Sequence, residues 1–370
     1  MIRRRYRHVL TVGFAGALAV GALYGVGQGP ADASPSHTSA ASAARPAATS
    51  GLPALGLNVR LVEHPAATQN QVTSQLAAMG ATWIREAVNW RLLQPNPGTF
   101  DSAYLAKVRS TVSAAKAAGL RVLMTADNQA PDWARAGTDQ DLTNAYGSFV
   151  GQLAADFKGT GPGGVSPAYE IMNEPQGGAS GSAAPAAVHP AQTGLPSATP
   201  ELYTQAACAA YHAAHAADST AKVAAGSINT SVDWQPWLRQ VFADGIGSCY
   251  DVLTVHSYSG PDPLDVAEGI AADNGRPNTT IYLGEFGGTT CPQSGSGCVP
   301  ESYQSSLITN FLNDLTTRPF VPVAMIYEAC DTPGLSSPRE SYFGVFHSTS
   351  ATAICTSAKP AVAALTALYP

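Results

Sequence analysis

Eight short apolar runs, each followed by a stretch of helical periodicity, recur along the chain from residue 55 to residue 368, and few folds accommodate that pattern. The runs cover 55–59, 82–86, 121–125, 169–174, 223–228, 252–258, 281–287 and 323–328. Between them Val72, Leu76 and Met79 share one helical face, as do Leu105, Val108, Val112 and Ala115, and then Tyr146, Phe149, Val150, Leu153 and Phe157. Asp101 is placed to cap the second of these helices, and Gly80 and Gly119 to end the first two. Further helices are expected at 201–217, around Trp237 to Phe242, at 265–273, along Tyr303, Leu307, Phe311 and Leu315, and at 360–368. Eight such strand-helix units predict an α/β chain folded as a (β/α)8 TIM barrel. A doubly wound sheet would want a glycine-rich phosphate turn after its first strand. Asn58-Val59-Arg60 is not one.

The start of the chain reads as an export signal. Arg3, Arg4, Arg5 and Arg7 precede an apolar stretch from Val9 to Val26, and Ala31-Asp32-Ala33 fits a small-residue cleavage site. The run is nearly long enough to span a bilayer, but its glycines favour cleavage. The expected organisation is a signal peptide at 1–33, a disordered Ser/Ala/Pro-rich linker at 34–50 and one catalytic domain at 51–370. Without the first 33 residues the chain keeps 16 basic and 25 acidic residues. That balance makes nucleic acid and anionic membranes poor partners. A secreted monomer, free of the membrane in its mature form, is expected. Six cysteines, all beyond the linker, suit an oxidising compartment. Fifteen pairings are possible. Cys291–Cys298 is preferred because it brackets a Gly/Ser-rich loop, and Cys208–Cys249 and Cys330–Cys355 then follow. No close Cys/His pair of metal-ligand spacing is present, so neither metal nor cofactor is expected.

In a barrel of this kind the C-terminal strand ends meet at one face, where chemistry is sited. Those ends carry Arg85, Glu86, Asp127, Asn173, Glu174, His256, Tyr258, Glu285, Tyr327 and Glu328. Glu174, before Pro175, is read as the last residue of strand four, and Glu285 lies near the end of strand seven. A solvated strand-end acid is the usual fate of one glutamate. Two of them, three strands apart in an eight-strand ring, can face each other across the mouth and suit glycosidic bond cleavage. Glu170 begins its strand and is read as structural, far from the mouth. Glu86 and Glu328 are weaker catalytic candidates because neither has a matching partner opposite. Trp90, Trp133, Trp234 and Trp237 could stack on sugar rings or simply pack in the core. Trp133, on a loop after strand three, is the best of them.

Asn173-Glu174-Pro175, His256-Ser257-Tyr258, Gly284-Glu285-Phe286-Gly287, Arg85, Tyr342-Phe343-Gly344-Val345 and Lys359-Pro360 together resemble the clan A retaining glycoside hydrolases. The likeness is greatest to cellulase-type family 5, and Ala130-Pro131-Asp132-Trp133 adds a family 39-like feature. The resemblance implies a retaining β-glycosidase acting on a β-linked polysaccharide or oligosaccharide. It assigns Glu174 as acid/base, Glu285 as nucleophile and Asn173 as donor to the sugar 2-hydroxyl. Arg85 and Tyr258 would orient Glu285, and His256 would support the acid/base or the substrate. Two positions depart from the family pattern. Ala126-Asp127-Asn128 replaces the usual histidine after strand three, and Tyr327 or Glu328 stands where a tryptophan platform is usual. A mannanase-, xylanase- or β-xylosidase-like enzyme of the same clan is the near alternative. A sugar-binding barrel without catalysis is the distant one.

Overall fold

Eight parallel strands pair in chain order, and β1 bonds β8 to complete the ring. They are β1 (Ala54–Val59), β2 (Trp83–Val88), β3 (Arg121–Ala126), β4 (Ala168–Ile171), β5 (Lys222–Asn229), β6 (Val252–His256), β7 (Ile281–Phe286) and β8 (Val323–Ile326). The computed structural model describes residues 51–177, 198–291, 297–335, 337 and 339–370. The expected signal peptide and linker, and most of the stretch 176–200 read as a loop over the mouth, lie outside the described residues. The helices follow as α1 (Ala66–Ala78), α2 (Trp90–Leu93), α3 (Ser102–Ala117), α4 (Asp132–Arg135), α5 (Asp139–Asp156), α6 (Pro200–Ala217), α7 (Gln235–Ala243), α8 (Asp262–Asp273), α9 (Glu301–Asp314) and α10 (Pro360–Leu368). This is the TIM barrel that the strand-helix repeat predicts. Among the described residues no helix is long and apolar enough to cross a membrane.

Local sequence explains the element ends. Asp101 accepts from the Tyr104 amide at 2.8 Å and starts α3, and Thr138 with Asp141 forms a capping box on α5. Of the stripe expected on α9, Phe311 and Leu315 are buried and Leu307 packs against the core, but its first position is not buried. Tyr303 is 56% exposed, and the buried face is Gln304, Ile308, Phe311 and Leu312. Gln304 is drawn inward because its amide donates to the carbonyls of Gly288, Phe343 and Gly344. Buried backbone acceptors outweigh the tyrosine ring.

The barrel interior changes character from bottom to top. Trp83, Leu123, Ala168, Ala224, Val252, Tyr282, Val323 and Met325 form an apolar plug at the lower end. Above it the inward positions turn polar, with Arg85, Thr125, Glu170 and Thr254 all buried. Strict alternation is broken twice. Between Ala225 and Ile228 β5 has one residue more than β6, and β7 has one more than β6 and β8 around Gly284. Tyr282 belongs to the lower plug while Glu285, an odd number of residues on, also faces the interior.

The disulfides are Cys208–Cys249, Cys291–Cys298 and Cys330–Cys355, the pairing expected. Three disulfides belong to an oxidising, extracellular type of environment. Buried Lys359 donates to Asp331 Oδ1 and Thr290 Oγ1, both at 2.7 Å, and so ties the start of α10 to the loops after β8 and β7.

Candidate active site

Arg85 is the hub of the upper barrel. Only 6% exposed, its guanidinium donates to Glu170 Oε2, to Asn58 Oδ1, to Glu285 Oε1 and to Asn173 Oδ1, each at 2.7 Å. Burial alone would lower its pKa, but the charges of Glu170 and Glu285 raise it further. Glu170 also accepts from Thr125 Oγ1 at 2.6 Å. Its structural reading stands, although it is not remote: one guanidinium separates it from Glu285.

Glu285 has a donor on each oxygen, Arg85 on Oε1 and the Tyr258 hydroxyl on Oε2 at 2.8 Å. Burial and then the charge of Glu285 push the Tyr258 pKa well up, so the phenol stays a donor. Glu174 lies beyond the strand rather than ending it. β4 stops at Ile171, and Met172 and Glu174 both have positive φ. Pro175 forbids continued pairing, and the chain turns so that the Glu174 carboxylate reaches over the mouth. Asn229 Nδ2 donates to its Oε2 at 3.1 Å, and His256 Nδ1 sits 2.9 Å from its Oε1. His256 Nδ1 is also 3.5 Å from Glu285 Oε2. One oxygen from each glutamate and the histidine nitrogen lie within 4.8 Å of one another.

A driest-pocket argument would give Glu174 a raised pKa, and the structure reverses it. Burial does push it upward, but the hydrogen bond and charge of His256, the Asn229 amide and Arg85 together bring it below the ordinary carboxylate value. His256, fully buried, is pushed down by burial yet ends above its ordinary value through the charge of Glu285 and the bond to Glu174. In the free protein the proton of this pair is therefore drawn toward His256. The same three groups could in principle ligate a cation. Every carboxylate oxygen among them already has a donor, and Arg85 supplies the positive charge at that spot.

These groups open into a cavity of 1070 Å³ lined by residues from every strand end. Sites for single small molecules run to about 300–1,000 Å³, so there is room for more than one sugar ring. Tyr327 and Glu328 line the β8 side, where Arg60 donates to Tyr327 Oη at 2.7 Å and to Glu328 Oε2 at 3.0 Å. Trp133 is not at the cavity. Its indole packs edge-on against Trp90 at 6.3 Å and donates to the Gln94 carbonyl, so the expectation of a sugar platform there is corrected. The apolar environment under α2 and α4 captures the ring. No tryptophan lines the cavity among the described residues. Sequence reasoning also missed Asn58, Ser227 and Asn229, whose signal was a polar residue inside an otherwise apolar strand.

Glu86 borders the cavity and accepts from the Leu61 amide at 2.7 Å, which anchors the loop after β1. Burial lifts it to about 8, and burial lifts Glu328 to about 7. A raised carboxyl favours the folded state while it is protonated, so this contribution fades as pH climbs from about 4.5 to about 8. The shift at Glu86 is of the order of 5 kcal/mol at about 1.4 kcal/mol per unit. The protein should melt at a lower temperature at pH 8.5 than at pH 5.5. Glu86→Gln, which keeps the acceptor for Leu61, should shrink that difference; an unchanged difference in thermal melts at the two pH values would refute the assignment.

Comparison with known proteins decides the family. The model for cellulase (glycosyl hydrolase family 5) matches residues 47–316, which include both glutamates. The chain belongs to glycoside hydrolase family 5. Solved structures of similar fold include a GH5_18 protein from Streptomyces cattleya in complex with GlcNAc, at 16% identity and TM-score 0.65 over 85% of this chain and 79% of that one. A family 39 glycoside hydrolase from Bacteroides cellulosilyticus WH2 matches at 14% identity and TM-score 0.59 over 86% of this chain and 64% of its own. The exo-β-1,4-mannosidase Op5Man5 from Opitutaceae bacterium strain TAV5 matches at 15% and 0.61, over 87% and 61%. The family 5 chain thus spans less than two thirds of the length of those last two. No curated protein sequence matches it significantly.

Proposed function

We propose that this family 5 enzyme is a secreted retaining β-glycosidase, cellulase-like in its site, that cleaves a β-linked polysaccharide or oligosaccharide by double displacement. Glu285 is the nucleophile and Glu174 the acid/base. The observation that carries this reading is the pair of carboxylates, with one oxygen of each within 4.8 Å, lining one cavity. Retaining enzymes hold their two carboxyl groups about 5–5.5 Å apart, and inverting ones leave room for a water between them.

The roles follow from the neighbours. Glu285 attacks the anomeric carbon as the bond to the leaving oxygen breaks, and Glu174 gives that oxygen a proton. Water then attacks the same carbon, returns a proton to Glu174 and releases Glu285. Arg85 and Tyr258 fix both oxygens of the nucleophile. Because Arg85 holds Asn173 Oδ1, the amide NH2 is the end left for a sugar hydroxyl. A sugar seated over Glu174, whose side chain is 20% exposed, strips its remaining water and favours the neutral acid. His256 Nδ1 is close enough to deliver the proton. Tyr327, its hydroxyl held by Arg60, stands as the aromatic wall for the ring. Secretion is supported by the basic-then-apolar start and the three disulfides.

The test is a panel of 2-fluoro β-glycosides bearing good leaving groups. One of them should inactivate the enzyme by adding one sugar, and peptide mapping should find it on Glu285. Absence of any label together with no turnover of any β-glycan would favour a sugar-binding barrel. A label on another carboxylate would overturn the assignment.

A further inference from the structure

Ser227 stands among all the groups just described, yet no role has been given to it. The extra residue in β5 places it there. Gly226 has φ 112°, and a Cβ on it would lie 2.6 Å from the Thr254 carbonyl. Ser227 itself has φ 46°, a left-handed conformation that costs energy in any residue other than glycine. The Ser227 amide donates to Thr254 Oγ1 at 2.7 Å, which pins the distortion. Its hydroxyl, fully buried, then meets four partners. With two lone pairs for three possible donors, it lies 3.2 Å from His256 Nε2, the nearest, 3.3 Å from the Glu174 amide and 3.4 Å from Arg85 Nη2, and it can donate to Asn173 Oδ1 at 3.5 Å.

A histidine between two partners is defined by which nitrogen keeps its proton, and the hydrogen bond at one nitrogen decides that for the other. Groups facing His256 are Glu174 and Glu285 at Nδ1, Arg85 across the pocket and Glu170 beneath it. If Ser227 accepts from Nε2–H, Nδ1 is the nitrogen that titrates, and it faces Glu174. If instead Ser227 donated to Nε2, the Nδ1 proton would be fixed and His256 could not exchange a proton with the acid. Asn173 Oδ1 provides the acceptor that lets the hydroxyl hydrogen point away from the ring.

We propose that Ser227 is a positioning residue for catalysis, holding the proton on His256 Nε2 so that Nδ1 and Glu174 share one exchangeable proton. This rests on the proposed assignment of Glu174 as acid/base. Proton movement is then a single transfer from Nδ1 to Glu174 Oε1, leaving the Nε2–H tautomer of neutral imidazole, with no change at Ser227. The raised His256 and the lowered Glu174 fit such a pair.

Ser227→Gly removes the hydroxyl and relieves the left-handed backbone, so the chain should fold without loss. The variant should lower kcat about tenfold with little change in KM. It should also move the alkaline limb of the kcat/KM profile about one unit toward acid, because the protonated pair loses an acceptor. An unmoved limb would overturn the inference. Glu174→Gln separates the two ideas, since it should remove that limb. If the limb survives in Glu174→Gln, the acid/base assignment fails; if only Ser227→Gly leaves it in place, this inference fails alone. In the unaltered enzyme, 15N resonances should show His256 Nε2 protonated throughout while Nδ1 titrates, and the opposite tautomer would sink the proposal.

Discussion

Glu285→Gln should lower turnover on every β-glycoside by on the order of 10⁴-fold or more, as removal of a covalent nucleophile does elsewhere. The amide is nearly the same size and still accepts from Arg85 or Tyr258, so folding should survive. What is lost is the charge proposed to attack the anomeric carbon. Glu174→Gln should behave differently. A glycan with a poor leaving group should slow by about 10²–10⁴-fold, whereas an aryl glycoside that departs without a proton should lose far less in its first step. Equal losses on both substrates for Glu174→Gln, or residual turnover in Glu285→Gln within a hundredfold of the parent, would contradict the division of labour.

Arg85→Met should be the most damaging change to stability as well as to activity. The guanidinium bonds two buried carboxylates, and it also anchors Asn58 and Asn173. Removing one partner of a buried ion pair costs about 3–5 kcal/mol because a charge is left without compensation. Here Glu170 and Glu285 would both be stranded. Adding Glu170→Gln to Arg85→Met should restore part of the loss in urea denaturation by taking away one stranded charge. It should not restore kcat, since Glu285, the proposed nucleophile, still lacks its donor and Asn173 its anchor. Recovery of activity along with stability would mean that Arg85 serves the fold alone.

The barrel was readable because its units repeat. Apolar runs such as Val252–His256 and stripes such as Tyr146, Phe149 and Leu153 leave one solution, and the disulfides followed from a loop bracketed by Cys291 and Cys298. Position along a strand was also enough to gather Arg85, Asn173, His256, Tyr258 and Glu285 at one face. What failed depended on side-chain competition that spacing does not encode. Trp133 looked like a sugar platform, but the Gln94 carbonyl and Trp90 hold it elsewhere. Burial would by itself raise the pKa of Glu174, but His256, a neighbour 82 residues away in sequence, sets the opposite direction. Ser227 shows in the sequence only as a polar residue in an apolar strand, which says nothing of the φ it adopts.

The supernumerary residue at Gly284 bears on how such a chain can be redesigned. Were β7 trimmed to match its neighbours, the parity of every side chain beyond that point would invert. Glu285 would then point into the helical shell, with the whole catalytic complement still present in the primary structure. A backbone offset of a single peptide is thus as indispensable as the carboxylate it aims, and grafting motifs onto an idealised barrel would reproduce the letters without the geometry.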